Sequence, residues 1–417
     1  MSSELIDTSA RSRALTAQEE IYWRLTYNDQ IHFVVAAEIE GHTEVKQWKD
    51  ALDSVQRRHP LLRVGVEMPG RGNGRHNPFF VPKEAVIPMR VEALGSGEGL
   101  VAVQMQRQLA IPFVAGVAPL ARATLLHAPE RSIIVLALCH SIADGMSGLF
   151  LLRDLLSALS GQSLEALAMP ASAEELLGVA PGISALVPAD EYHPAGNVGR
   201  EPRVLLRSLS EELTRQLVDS ARRHRSTVHG ALAAAFVQAL RQLAPSFETN
   251  PVRMISPVNT RTELGGGDAL GMYFTSPQLS FQPNCSETFW DIASNTLSGM
   301  AMSSARASLL EATAAMQALT KPGLSNAAAA SMLEQAFAMD ILLSNLGRIP
   351  FSRHFEHLFV QSVWGPAVLG GESTQAVGVI TTGDQLCLTL TSRHPIERLL
   401  DTAIDVLAEQ IHTGESE

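Results

Sequence analysis

Cys139-His140-Ser141-Ile142-Ala143-Asp144-Gly145 is the stretch of this chain best suited to chemistry. A histidine and an aspartate stand four residues apart at the abrupt end of an apolar run. Imidazole titrates near neutral pH and can serve as a general base. A buried strand ending at His140 would deliver such a base to a reaction centre. A second reading is structural. Asp144 then caps the following helix and Gly145 eases the turn, which leaves His140 as a hydrogen-bonded core histidine with no evident task. The spacing alone does not choose between them.

The elements on either side must position these residues. Residues 132–138 (SIIVLAL) are β-branched and aliphatic without alternation, the pattern of a strand covered on both faces. Residues 146–159 read as a helix with Leu149, Phe150, Leu152, Leu155, Leu156 and Leu159 apolar nearly all round. A strand over 121–127 and a turn through Pro129-Glu130-Arg131 make the first of these a hairpin partner. Upstream, Thr16-Ala17-Gln18-Glu19 reads as a capping box. A strand is expected over 31–40, then a helix over 44–58 with Val45, Trp48, Leu52 and Val55 on one face, stopped by Pro60. A strand over 61–66 and a Gly/Pro-rich loop over 69–78 follow.

Residues 161–202 carry scattered Pro and Gly with a short helical pattern near 174–177, and read as a crossover. Beyond it the vocabulary repeats. Strands are expected over 204–209, 252–257, 272–281 and 339–343, and helices over 211–224, 228–243, 288–303 and 326–337. A hairpin over 376–380 and 385–391 precedes a last helix over 396–411. Interleaved strands and helices with antiparallel hairpins in both halves predict an α/β fold of two similar lobes, 1–170 and 203–417, joined by a linker at 171–202.

At 417 residues, 46% hydrophobic and 18% charged, the chain can bury a large core. Its net charge of -11 argues against non-specific nucleic-acid binding. The short run Arg222-Arg223-His224-Arg225 reads as a solvated helix end rather than a phosphate or carrier-protein contact. Residues 1–13 lack an apolar signal core, and the most apolar region, 133–156, is broken by His140, Asp144 and Arg153. A cytoplasmic protein with no membrane span is expected. Cys139, Cys285 and Cys387 form no CxxC pair, so neither disulfides nor a thiolate zinc site is suggested. His354-Phe355-Glu356-His357 lacks a third ligand at helical spacing, so no metal site is predicted. There is no GxSxG elbow and no glycine-rich phosphate loop.

Seven segments, in order along the whole length, resemble the chloramphenicol-acetyltransferase-like superfamily, which includes nonribosomal peptide condensation domains, plant alcohol acyltransferases and polyketide-associated acyltransferases. Leu15-Thr16-Ala17-Gln18-Glu19 is similar to the opening "S/T-x-A-Q", and Arg58-His59-Pro60-Leu61-Leu62-Arg63 to "RHExLR". Cys139 to Gly145 resembles "HHxxxDG", and Thr227-Val228-His229-Gly230-Ala231-Leu232 the "T-x-x-x-A-x-L" helix start. Pro257-Val258-Asn259-Thr260-Arg261, Leu270-Gly271-Met272-Tyr273-Phe274 and Ser344-Asn345-Leu346-Gly347-Arg348 resemble "P-V-N-x-R", "LGNyf" and "SNxG". Cys139 stands where the family has its first histidine. The motifs that mark amide-forming condensation domains are not recognisable, and Val363-Trp364-Gly365-Pro366 lies where a plant-type "DFGWG" would fall.

The resemblance implies two lobes forming a V with the active site in a tunnel between them. It implies an O-acyltransferase that uses His140 as base, with an acyl group moving directly from a coenzyme A or acyl-carrier-protein thioester to a small-molecule alcohol, no tightly bound cofactor, and a monomer. Asp144 would pair with an arginine, Arg63 or Arg261, and Gly145 would support the turn. Ser344 and Asn345 would face the oxyanion or cap the end of the strand at 341–343, and Trp364 would line the tunnel or sit in the core. Cys139 reads as a core thiol, because consecutive strand residues point to opposite faces. A freestanding condensation enzyme making an amide or ester, and a non-catalytic carrier-binding relative, are the alternatives.

Overall fold

The computed structural model describes residues 12–26, 31–68, 77–182, 201–283, 286–320, 331–332 and 337–413. Two six-stranded sheets dominate it. The first runs, in spatial order, His354–Phe355, Leu358–Val368, His32–Glu40, Arg131–Cys139, Ala121–Ala128, Met89–Ala93. It is antiparallel except for the last pair. The second runs Gln278–Phe281, Val252–Ile255, Ile341–Arg348, Gln375–Thr382, Gln385–Ser392, Arg203–Ser208, and is parallel at Ile341–Arg348 with both its neighbours. This is the two-lobed α/β architecture expected from the sequence.

The apolar run before His140 is buried on both sides, which explains its lack of alternation. Leu136 and Leu138 face a core that includes Trp48, Leu52 and Val55 of the helix Val45–Arg58 and Leu149, Leu152 and Leu156 of the helix Gly145–Leu159. Val135 and Ala137 face Val101, Met105 and Leu109 of the helix Leu100–Ala110. In the second lobe, the alanine-rich helix Val228–Leu243 lies against the helices Phe289–Ala301 and Leu399–Thr413 over the inner strands. Small side chains at Ala231, Ala233, Ala234, Ala235 and Ala239 suit that close packing.

The lobes share a strand. Leu358–Val368 falls in sequence between two strands of the second sheet, Ile341–Arg348 and Gln375–Thr382, yet pairs with His32–Glu40 in the first. A division of the chain at residue 203 therefore leaves this strand on the other half's sheet. At the crossing, the N–H groups of Val363 and Gly365 donate to the hydroxyls of Thr382 and Thr389, both at 3.0 Å. A Cβ on Gly378 would lie 2.3 Å from the Pro366 carbonyl, so only glycine fits there.

Several expected elements differ. Residues 60–63 form a 3-10 turn, Pro60–Arg63, ahead of the strand Val64–Glu67, because proline pre-sets a helical φ. The strand expected over 272–281 is split into Phe274–Thr275 and Gln278–Phe281, with Pro277 between them. His354 and Phe355 form a short strand rather than loop. The strands Phe79–Pro82 and Met89–Ala93 and the helices Leu100–Ala110 and Arg306–Leu319 were not anticipated. The loop over 69–78 and the helix over 326–337 lie largely outside the described residues, and Cys285 lies wholly outside.

Candidate active site

The strand Arg131–Cys139 ends where the backbone turns. His140 N–H donates to the Ile31 carbonyl at 3.3 Å, and Ile142 N–H to the Cys139 carbonyl at 3.2 Å. Asp144 then caps the helix Gly145–Leu159, accepting from Ser147 N–H at 2.8 Å, so the simple capping role holds. Its carboxylate does more than cap. Oδ2 accepts from Arg261 Nη1 at 2.6 Å and Tyr273 N–H at 3.0 Å, while Oδ1 accepts from Arg261 Nη2 at 2.9 Å and from the Ser147 hydroxyl at 2.9 Å. Both ion-pair side chains are 5% exposed. Burial pushes the Asp144 carboxyl up, but the Arg261 guanidinium and the backbone donors outweigh it and hold the group below the ordinary carboxylate range.

The choice the sequence left open falls on Arg261, which supplies both hydrogen bonds of the pair across 117 residues. Arg63 has no bond to Asp144, and its buried Nε lacks a partner among the described residues. Gly271 completes the knot. Its carbonyl accepts from Asp144 N–H at 3.1 Å and from the Ser147 hydroxyl at 3.1 Å. With Asp144 turned into this knot, the imidazole of His140 is left facing a cavity.

That cavity has a volume of about 1280 Å³ and runs between the lobes. Arg253 and Ile255 of one second-sheet strand, with Pro257 and Asn259 beyond its end, and Leu342, Ser344 and Leu346 of the neighbouring strand line it. From Asp340 to Leu346 it follows six residues of strand, a path of about 20 Å at the usual rise per residue. His140 sits on its wall within an aromatic cage. Ring centroids of Tyr22, Phe33 and Phe274 lie 4.7, 5.1 and 5.6 Å from the imidazole. Nδ1 is buried with no well-aligned partner. Burial lowers the pKa of His140 despite the Asp144 charge and the carbonyls of His140 and Ala143, which act the other way. The ring is therefore neutral at neutral pH, as a base must be.

Gly145, Ser344 and Asn345 also line the cavity. A Cβ on Gly145 would lie 2.9 Å from Leu346 Cδ2, so this glycine lets the SNxG segment approach the helix start. Asn345 Oδ1 accepts from Gly347 N–H at 2.9 Å, which leaves its amide NH2 free among the described residues. Cys139 is a core thiol, 3.3 Å from the Ser141 hydroxyl, with a pKa raised by burial, and it does not reach the cavity. Of the two places open to Trp364, the structure shows the core. Trp364 packs beside Val101 and Met105 on the far face of the first sheet, its indole N–H donating to Glu38 at 3.2 Å, and Pro366 lines the cavity instead. A register irregularity between Trp364 and Ala367 shifts the alternation and puts Trp364 and Pro366 on opposite faces. Sequence reasoning missed Tyr22, Phe33 and Ser147. Only Ser147 had a local signal, its place three residues after the capping Asp144. Among the described residues no three His, Cys, Asp or Glu side chains are grouped to hold a metal ion.

Two lobes sharing a strand, with a histidine at the head of a helix facing the cleft, define the chloramphenicol-acetyltransferase-like fold of acyltransferases and condensation domains, as the sequence led one to expect. Residues 199–266 match the family model for the phthiocerol/phthiodiolone dimycocerosyl transferase C-terminus, a stretch that holds Arg261 but not His140. Among solved structures, polyketide synthase associated protein 5 from Mycobacterium tuberculosis superposes with a TM-score of 0.65 at 17% identity, covering 95% of this chain and 96% of that one. The first condensation domain of the CDA synthetase gives 0.68 at 16%, with 97% of each covered. TRI101 of F. sporotrichioides, complexed with coenzyme A and T-2, gives 0.63 at 14%, covering 96% and 97%. At these identities the likeness is one of fold. No curated protein sequence matches the chain.

Proposed function

We propose that this protein is an acyltransferase that moves an acyl group from a coenzyme A or acyl-carrier-protein thioester to a hydroxyl, with His140 as general base. The observation that carries this reading is the division of labour between two residues four apart. Asp144 is fully engaged in the protein, and His140, neutral and caged, faces a cavity deep enough for an extended thioester arm. Fold relatives that include a coenzyme A complex support the donor class.

In this reading the acceptor hydroxyl gives its proton to His140 Nε2 as its oxygen attacks the thioester carbonyl. Ser344 and Asn345 offer donors to the developing oxyanion. The C–S bond then breaks, and the departing thiolate takes the proton back from the imidazolium. Atoms and charge balance without a covalent enzyme intermediate.

The test is product formation by intact mass over a panel of acyl thioesters, each offered hydroxyl and amine acceptors. His140→Ala should lower turnover by about 10² to 10⁴ with an unchanged circular dichroism spectrum. Unchanged turnover would overturn the reading, and preference for amines would move it to a condensation enzyme.

A further inference from the structure

The helix Ala17–Leu25 is held at its start by a full capping box on Thr16 and by a buried pair in which Arg13 donates to Glu19 at 2.7 and 2.9 Å. It presents Gln18, Ile21, Tyr22 and Leu25 to the cavity, a stripe at i, i+3, i+4 and i+7. Tyr22 is the member of that stripe whose ring stands against the imidazole of His140, at 4.7 Å between centroids.

Buried tyrosines ordinarily find a hydrogen-bond partner for the hydroxyl. Tyr273, the other tyrosine among the described residues, does so, donating to the Ala171 carbonyl at 2.5 Å. Tyr22 is half-buried on the cavity wall, and its hydroxyl has no protein partner among the described residues. Tyr22 lines the cavity beside His140, on a helix held at its start by the Thr16 cap and the Arg13–Glu19 pair. Burial pushes its pKa up to about 12, so it stays protonated and cannot itself act as base. A neutral, rigidly held O–H in a low-dielectric cavity is the kind of group that stabilises charge appearing in a transition state.

We propose that the Tyr22 hydroxyl donates a hydrogen bond to the thioester carbonyl oxygen as it becomes the oxyanion, alongside Ser344 and Asn345 of the same cavity. This assignment rests on the reading of His140 given above. The acceptor proton still passes to His140 and returns to the leaving thiolate, and Tyr22 keeps its own proton throughout.

Tyr22→Phe, which keeps the ring cage and removes only the hydroxyl, tests it alongside His140→Ala in one steady-state assay. Tyr22→Phe should lower kcat by about 10² to 10³. KM for donor and acceptor should change less than about threefold, since the interaction belongs to the transition state. The melting temperature should match the parent's. A kcat within about threefold of the parent's, or a loss confined to KM, overturns the assignment. If His140→Ala loses turnover while Tyr22→Phe does not, only the Tyr22 role falls. If His140→Ala turns over like the parent, the reading of the site falls and the Tyr22 role with it.

Discussion

Asp144 and His140 show how two residues of one motif can be turned apart, one into the protein and one onto the cavity wall. The aspartate accepts from Ser147, Tyr273 and both terminal nitrogens of Arg261, and the pair is buried. Removing one partner of such a pair strands a charge in low dielectric, at a cost of about 3 to 5 kcal/mol. Arg261→Met and Asp144→Ala should each lose that much in urea denaturation. Arg261→Lys should recover little, since an ammonium cannot reproduce the two-pronged contact. A loss under about 1 kcal/mol in both variants would show the pair to be dispensable. The motif was readable as a turn with a capping aspartate. The identity of the arginine was not, because the pair closes over 117 residues and depends on how the lobes meet. Tyr22 was hidden for the same reason: nothing within the stretch 17–25 says which helical face meets the cleft.

Among elements, those with one dominant apolar pattern were legible, and those whose apolar stripe is short or interrupted were not. The helix Val228–Leu243 matches its expected bounds, and the hairpin into His140 formed as read. The helix Leu100–Ala110 was missed although Val101, Met105 and Leu109 form a stripe, because the buried Gln104 and Gln108 dilute it. Those glutamines donate to Glu92 at 3.1 Å and Thr124 at 2.8 Å, contacts with other strands that no local pattern reveals. Which side Trp364 takes was not legible, because its strand Leu358–Val368 was itself not read and its register shifts before Ala367. The contact between the helix start at Gly145 and Leu346 is the element-level feature most open to test. Gly145→Val would drive side-chain atoms into Leu346, overpacking that costs about 1 to 3 kcal/mol. Leu346→Ala in the same background should relieve it, with a coupling of about 0.5 to 3 kcal/mol in a double-mutant cycle of denaturation free energies. Strict additivity would show that the two elements do not bear on each other.

For the whole molecule, the same burial that keeps the base neutral makes the fold sensitive to acid. His32 lies in the first lobe with its Nε2 3.0 Å from the Gln108 carbonyl, and its pKa is lowered to about 3, chiefly by burial and then by Arg122. His229 opens the helix Val228–Leu243 in the second lobe, 3.1 Å from the Ser256 hydroxyl, lowered to about 4 by burial. His140, between them at the cleft, is shifted in the same direction. In the unfolded chain all three take up a proton near pH 6.5, while in the folded chain they do not until lower pH. The unfolded state therefore binds more protons below pH 6.5, so stability is full above that value and falls as pH drops toward the folded pKa values. Each histidine should contribute a slope of up to about 1.4 kcal/mol per pH unit in that window. Asp144, held low by Arg261, adds its own loss only further down, as pH falls through the carboxylate range. Urea midpoints between pH 7.5 and 4.5 should trace this decline. His229→Gln, which keeps a polar partner for Ser256, should flatten the slope by up to about 1.4 kcal/mol per unit. A stability that is level from pH 7 to 4.5 would mean that these histidines charge without opening the fold.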